Sequence, residues 1–230
     1  MRTGKSALYE DLKHQILMLE REPDEDIDEI SLSESYGISR TPVRDVLRQL
    51  AGEGYVIIRE NRGARVIPMN HATMRDFFSV APVIYEAVGR LAVQNFKPRQ
   101  LLELKSCQME FRAAKDARES AAMAVGNNRF HTIIGEMSGS QFLMPSYSKL
   151  LIDHARIGQT FFRPETPQMD SDLAESCDQH DQMIDAIANR NEAAMVALIH
   201  QHWGICRCNM EMFIAPRALR SAALEGGGLG

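Results

Sequence analysis

No apolar run in these 230 residues approaches the roughly 18–20 residues that a membrane span requires. The opening MRTGKSALYEDLKHQ has no apolar core of the kind a secretion signal carries. The expected location is therefore the cytosol, without a membrane partner. Cysteine is scarce: Cys107, Cys177, Cys206 and Cys208, with no CxxC pair among them. Cys206 and Cys208 stand two apart in a segment that reads as helix, where such positions point in different directions. Reduced thiols are expected rather than a redox or metal pair. The HExxH helix of zinc proteases is missing as well. So is a global excess of positive charge, since 26 Lys and Arg face 31 Asp and Glu for a net −5.

What is present is an ordinary globular mixture, 44% hydrophobic and 25% charged, in a chain long enough for one or two cored domains. The charge is unevenly spread. Residues 20–34 run acidic from Glu20 to Glu34 against Arg21 alone, whereas residues 39–66 carry Arg40, Arg44, Arg48, Arg59, Arg62 and Arg65 against three acids. A DNA-binding surface depends on that local excess, whatever the total.

Leu8, Leu12, Ile16 and Leu19 recur at three and four and predict an amphipathic helix from Ala7 to Glu20. A short second helix follows, with Asp28 as its N-cap and Gly37 as its end. Ser39 caps a third, from Arg40 to about Gly52, with Pro42 tolerated in its first turn. Beyond Gly54, residues 55–58 and 64–67 read as two strands around the hairpin tip Asn61-Arg62-Gly63. Three helices and a hairpin in about seventy residues match a winged helix-turn-helix. After Pro68 the texture is helical, with helices expected near 71–95, 99–116, 119–137, 141–162, 172–189 and 192–214. The reading is mainly α: a winged helix-turn-helix DNA-binding domain over 1–68, an all-α six-helix effector-binding and dimerisation domain over 69–216, and a disordered tail over 217–230.

On the third helix Val43, Val46, Leu47 and Leu50 form a packing stripe, and Arg40, Arg44 and Arg48, spaced by four, line an adjacent outward face. Guanidinium groups on one helix face suit the major groove, where arginine pairs with guanine O6 and N7; they also contact phosphates, and spacing does not decide which does which. Ser39 and Thr41 at the helix N-terminus can bond phosphates together with free backbone N–H groups. Arg62 beside Gly63 would sit on the wing.

The run GISRTPVRDVLRQLAGEGYVIIRENRGARV, Gly37 to Val66, closely resembles the DNA-binding domain of the GntR family of bacterial regulators, most specifically in SRTPVRDVLRQL and ENRGARV. The resemblance implies that Arg40, Thr41 and Arg44 contact bases and phosphates, and that Gly63 lies at the wing tip. Members often carry an operator-reading Arg where this chain has Ile30, which cannot hydrogen-bond a base.

Residues 71–213 resemble, more loosely, the FadR-type effector domain of the same family, called FCD. Its most specific feature is a metal constellation of Asp-x-x-x-His on one helix and single histidines on two later ones. The matching positions here are Asn127, His131, His180 and His202. Asn127 and His131 share a helix face one turn apart, and His180 and His202 stand among apolar positions of two other helices. His200 competes with His202, which family spacing favours. A neutral oxygen with imidazoles suits Zn²⁺ or Ni²⁺, and the choice between them stays open. Pro82 stands where many members place an Arg that salt-bridges an acidic effector, and Arg156 is the candidate replacement.

These features lead to a ligand-responsive repressor, not an enzyme, that binds a palindromic double-stranded operator as a homodimer and senses a small carboxylate. The alternative is a metal-dependent hydrolase built on three histidines. No Glu stands one residue from a candidate ligand to act as its base, and turnover of esters or amides would reveal it. A metal-free helical adaptor is the third reading; operator binding by gel shift separates the first from both others.

Overall fold

Leu8, Leu12 and Ile16 recur every four residues and are fully buried in α1 (Lys5–Leu17), which lays one apolar stripe against the neighbouring helices. The computed structural model describes residues 4–60 and 63–214. After α1 come β1 (Asp26–Ile27), α2 (Glu29–Tyr36), α3 (Arg40–Glu53), β2 (Val56–Arg59) and β3 (Gly63–Val66). The Asp28 carboxylate accepts the Ser31 backbone N–H at 2.8 Å and fixes the start of α2. Val43, Val46, Leu47 and Leu50 of α3 are all buried against α1, α2 and the sheet, as the stripe requires.

The sheet holds one more strand than the hairpin reading gave. Its order is β1-β3-β2, antiparallel throughout, with Asp26 opposite Arg65 and Val56 opposite Val66. Two-residue β1 lies inside the acidic stretch and is too short to carry an alternating pattern. Arg65 donates to both carboxylate oxygens of Asp26, at 2.7 and 2.8 Å. Gly63 adopts φ 79°, and a Cβ there would collide with the Ile27 carbonyl oxygen, so the strand pairing demands glycine. Of the expected hairpin tip, Asn61 and Arg62 lie outside the described residues, as does the expected tail.

Among the described residues six helices follow: α4 (His71–Asn95), α5 (Pro98–Asp116), α6 (Ser120–Ser138), α7 (Met144–Phe161), α8 (Pro167–Ala188) and α9 (Glu192–Ile214). The bounds of α4 and α9 match expectation, but α8 starts five residues earlier than expected. Thr166 accepts the Met169 N–H with its side chain and Pro167 occupies the first turn, so a proline expected to break the chain opens a helix instead. The main core gathers Phe77, Tyr85, Phe130, Ile134, Tyr147, Ile187 and Trp203 from α4, α6, α7, α8 and α9.

From Leu151 to Phe161 helix α7 is buried on nearly every side, because it lies between the bundle and the N-terminal domain, against α1 and α3. Two polar side chains on it reach the backbone of that domain. Arg156 donates to the Ile67 carbonyl at 3.0 Å, and Gln159 donates to the Leu17 carbonyl at 3.2 Å.

Candidate nucleic-acid interface and candidate metal centre

Arg40, Arg44 and Arg48 emerge from α3 on one solvent-facing side, with half or more of each side chain exposed. Ser39 caps α3 in extended geometry, yet its hydroxyl makes no capping hydrogen bond and is left to another acceptor or donor. Thr41 is exposed in the first turn of α3. Beside them lies a concavity of ≈ 460 Å³, walled by α2, α3 and the wing and including Ile30, Arg59 and Gly63.

Sequence spacing did not reveal Glu29. Its half-buried carboxylate accepts from Arg40 Nη2 at 3.0 Å and Arg44 Nε at 2.8 Å, tying two of the three arginines together. Burial pushes this carboxyl's pKa up, but the hydrogen bonds and charges of Arg44 and Arg40 outweigh it and hold the value below the usual range. Glu29 is therefore ionised, and it holds both guanidinium groups in place. An alignment of acid and arginine across two helices leaves no mark in a helical period.

The bundle interior holds a group of histidines. His131 on α6, His180 on α8 and His202 on α9 are all buried, with ring centroids 5.0–5.4 Å apart. Asn127 is buried one turn before His131. His200, the rival position on α9, is exposed and paired with Glu86 at 2.9 Å. A fourth imidazole joins them. His154 of α7 lies 4.6 Å from His131 between centroids, and one nitrogen from each of His131, His154 and His202 falls within 4.8 Å of the other two. The sequence reading passed over His154, although its buried neighbours Leu151, Ile152, Ala155 and Ile157 mark an apolar setting for it.

The surrounding side chains set these rings. Gly135 lacks a Cβ, which would fall 2.6 Å from Tyr147 Cε1, so Tyr147 lies against α6 and donates to the His131 carbonyl at 2.9 Å. The Phe130 ring stacks on His180 at 4.0 Å. Burial lowers the pKa of all four imidazoles, and neighbouring histidines deepen the effect for His131, His154 and His180. His154 falls to about 3 and His202 to about 4, so the rings are neutral and their lone pairs are free for a Lewis acid. Nε2 of His131 and of His180 is buried without a hydrogen-bond partner. Orphaned acceptor nitrogens converging in an apolar interior fit a transition-metal ion. The space among Tyr85, His131, Met183, His202 and Trp203 is ≈ 10 Å³, room for an ion or one water and too little for a metabolite.

Arg156 does not join this group. Its side chain is fully buried at the junction between domains, donating to Asp153 at 3.0 Å and to the Ile67 carbonyl. Residues two apart on a helix point in different directions, so His154 faces the bundle while Arg156 faces the other domain. Its two terminal nitrogens are thus engaged within the protein rather than offered to a carboxylate; burial lowers its pKa while Asp153 raises it. Pro82 lies within α4, three residues before Tyr85.

A winged helix with an exposed arginine row, set on an all-helical bundle, is the build of a DNA-binding transcription regulator. Residues 5–66 match the family described as bacterial regulatory proteins, gntR family, and residues 80–204 match the FCD domain. The chain belongs to the GntR family of transcription regulators, in its FCD-bearing branch. It is similar to the HTH-type transcriptional repressor GlaR of Escherichia coli K12, 25% identical over 206 residues that cover 84% of this chain and 90% of GlaR. It is also 23% identical to the E. coli repressor RspR, over 85% of this chain and 83% of RspR. Among solved structures it superposes on E. coli McbR/YncC with a TM-score of 0.74 at 18% identity, covering 92% of this chain and 97% of that one, a likeness of fold. Family and relatives make it a DNA-binding regulator rather than an enzyme. No described helix is long and apolar enough to cross a membrane.

Proposed function

We propose that this regulator binds a two-fold symmetric operator as a homodimer and releases it when a small carboxylate reaches a metal ion held by His131, His180 and His202. Ser39, Arg40, Thr41 and Arg44 would read the major groove and its phosphates, with Arg48 on the same face and Arg62 and Gly63 on the wing. Val80 and Val83 on α4 and Leu102 and Met109 on α5 are exposed and apolar, which supports burial against a second copy.

The observation that carries the metal and effector reading is the charge of the histidine chamber. Every buried polar side chain around it, Gln108, Asn127, Gln179 and the four imidazoles, is neutral. Where relatives of this type place an aspartate, Asn127 supplies only an amide. A divalent ion in this chamber would carry two uncompensated charges, and an anion is the natural complement. The closed space requires the chamber to open for a carboxylate, and a ligand that binds only the open form shifts the balance between two states.

Thermal denaturation tests this. Protein treated with EDTA should gain several degrees with Zn²⁺ or Ni²⁺, and a panel of mono- and dicarboxylates should shift the metal-loaded protein alone. His180→Ala should lose both shifts and keep operator affinity, because the DNA-reading domain has its own core. Shifts by carboxylates that are unchanged in EDTA would place the effector elsewhere.

A further inference from the structure

The orientation of two glutamines reveals which nitrogen each imidazole offers. Gln108 donates its amide to the Cys177 carbonyl at 2.8 Å, which turns its oxygen toward His180 Nδ1 at 3.2 Å. Gln179 donates to Glu175 at 3.1 Å, which turns its oxygen toward His202 Nδ1 at 3.0 Å. An amide oxygen only accepts, so both rings carry their proton on Nδ1 and keep a lone pair on Nε2. Outer-shell oxygens that fix the tautomer in this way are the usual company of metal-bound histidines.

His154 has the same arrangement. Its Nδ1 lies 2.7 Å from the Tyr85 hydroxyl, an oxygen placed as the two glutamine oxygens are placed for His180 and His202. A phenol can donate as well as accept. With the imidazole donating to Tyr85, Nε2 of His154 keeps its lone pair, and one nitrogen of the ring already falls within 4.8 Å of one nitrogen each of His131 and His202. Tetrahedral coordination at about 2.0–2.1 Å places ligand nitrogens roughly 3.4 Å apart. Closing His131, His154 and His202 by little more than ~1 Å therefore suffices, and His180 stands against two of them, with its ring centroid 5.3 Å from that of His131 and 5.0 Å from that of His202. Asn127, the alternative fourth ligand, offers a neutral amide oxygen, a far weaker donor to a borderline-soft ion than an imidazole.

We infer that His154 is the fourth ligand of the metal centre, in the place of the carboxylate this chain lacks, giving a site of four imidazoles: His131, His154, His180 and His202. The inference rests on the metal reading above and changes its chemistry. An all-nitrogen set favours Zn²⁺, Ni²⁺ and Co²⁺ over Mn²⁺ and Mg²⁺, which prefer oxygen donors. Tyr85 becomes a positioning residue, because it fixes the ring that reaches the ion.

Co²⁺ serves as the probe, since its visible absorption reports ligand type and number, with X-ray absorption of the wild-type protein counting imidazoles. The expected result is one ion per chain bound by four imidazoles, with no displacement by excess Mn²⁺. His154→Gln should weaken Co²⁺ binding by about 10–100-fold and alter the spectrum, whereas Asn127→Ala should change the affinity less than about threefold. Tyr85→Phe should weaken binding by about tenfold without changing the imidazole count. Far-UV circular dichroism checks that each variant folds, and the wild-type imidazole count needs no variant at all. Three or fewer imidazoles, or unchanged affinity and spectrum in His154→Gln, overturns the four-imidazole site while leaving a metal centre in place. Wild-type protein that takes up no Co²⁺, Zn²⁺ or Ni²⁺ removes the metal reading and this inference together.

Discussion

The α3 arginine face and the histidine chamber use opposite electrostatic strategies. Arg40, Arg44 and Arg48 are charged and exposed, so holding that charge costs little, and Glu29 restrains two of them with one carboxylate. The four imidazoles are buried and neutral, and their environment penalises any charge that is not brought in with a partner. A surface that must meet a polyanion can keep its charge permanently. If the chamber responds to a ligand as proposed, it does better to stay neutral until that ligand arrives.

The largest expected effect lies on the exposed side. Under the proposed dimeric reading of the operator, Arg44→Ala should weaken specific binding by about 2–6 kcal/mol per dimer with folding intact. Fluorescence anisotropy against the cognate site measures it, and unchanged affinity would take the arginine row out of the recognition surface. Next is the junction. Arg156→Met strips the partner from Asp153, whose pKa burial already raises against the opposing pull of Arg156, and stability should fall by about 3–5 kcal/mol in urea denaturation. A loss under about 1 kcal/mol would mean that Asp153 is solvated or finds another donor.

The smallest effect sharpens the neutral side of the comparison. An unfolded histidine takes its proton near pH 6.5, whereas in the fold burial lowers His154 to about 3 and His202 to about 4. Between those values the unfolded chain binds more protons than the folded one. Stability of the metal-free protein should therefore rise with pH across this window and be lost on acidification below about 6.5. The slope is at most about 1.4 kcal/mol per pH unit for each histidine. Urea midpoints of EDTA-treated protein that stay flat from about pH 7 to about pH 5 would mean that the rings are hydrated.

The N-terminal domain was largely legible because its signals are local. Asp28 and Gly37 bracket α2, a four-residue arginine spacing lies outside the Val43–Leu50 stripe, and Gly54 ends α3 with φ 94°. β1 escaped because a two-residue strand has no period, and it is held by long-range pairing to β3. In the bundle, His131, His180 and His202 were found through the spacing of a known constellation. His154 belongs to no such spacing and enters through the packing of α7. Arg156 was singled out as the replacement for the effector-binding Arg missing at Pro82, but which side of α7 faces the other domain is a tertiary fact. Pro167 misled the reading of α8 because a proline that ends one helix and a proline that starts the next look alike until the capping Thr166 is recognised.

Helix α7 joins these two regions mechanically. Its ring at His154 belongs to the chamber, and two residues on, about 3 Å along the axis, the Arg156 fork grips the Ile67 carbonyl just past the wing strand β3. Residues two apart in one buried stretch of helix move together, so a displacement at His154 reaches Arg156 almost undiminished. The bond to Ile67 spans 3.0 Å, and a hydrogen bond stretched by about half an ångström is mostly spent. Motion in the chamber on that scale must either drag the base of the wing with it or let it go.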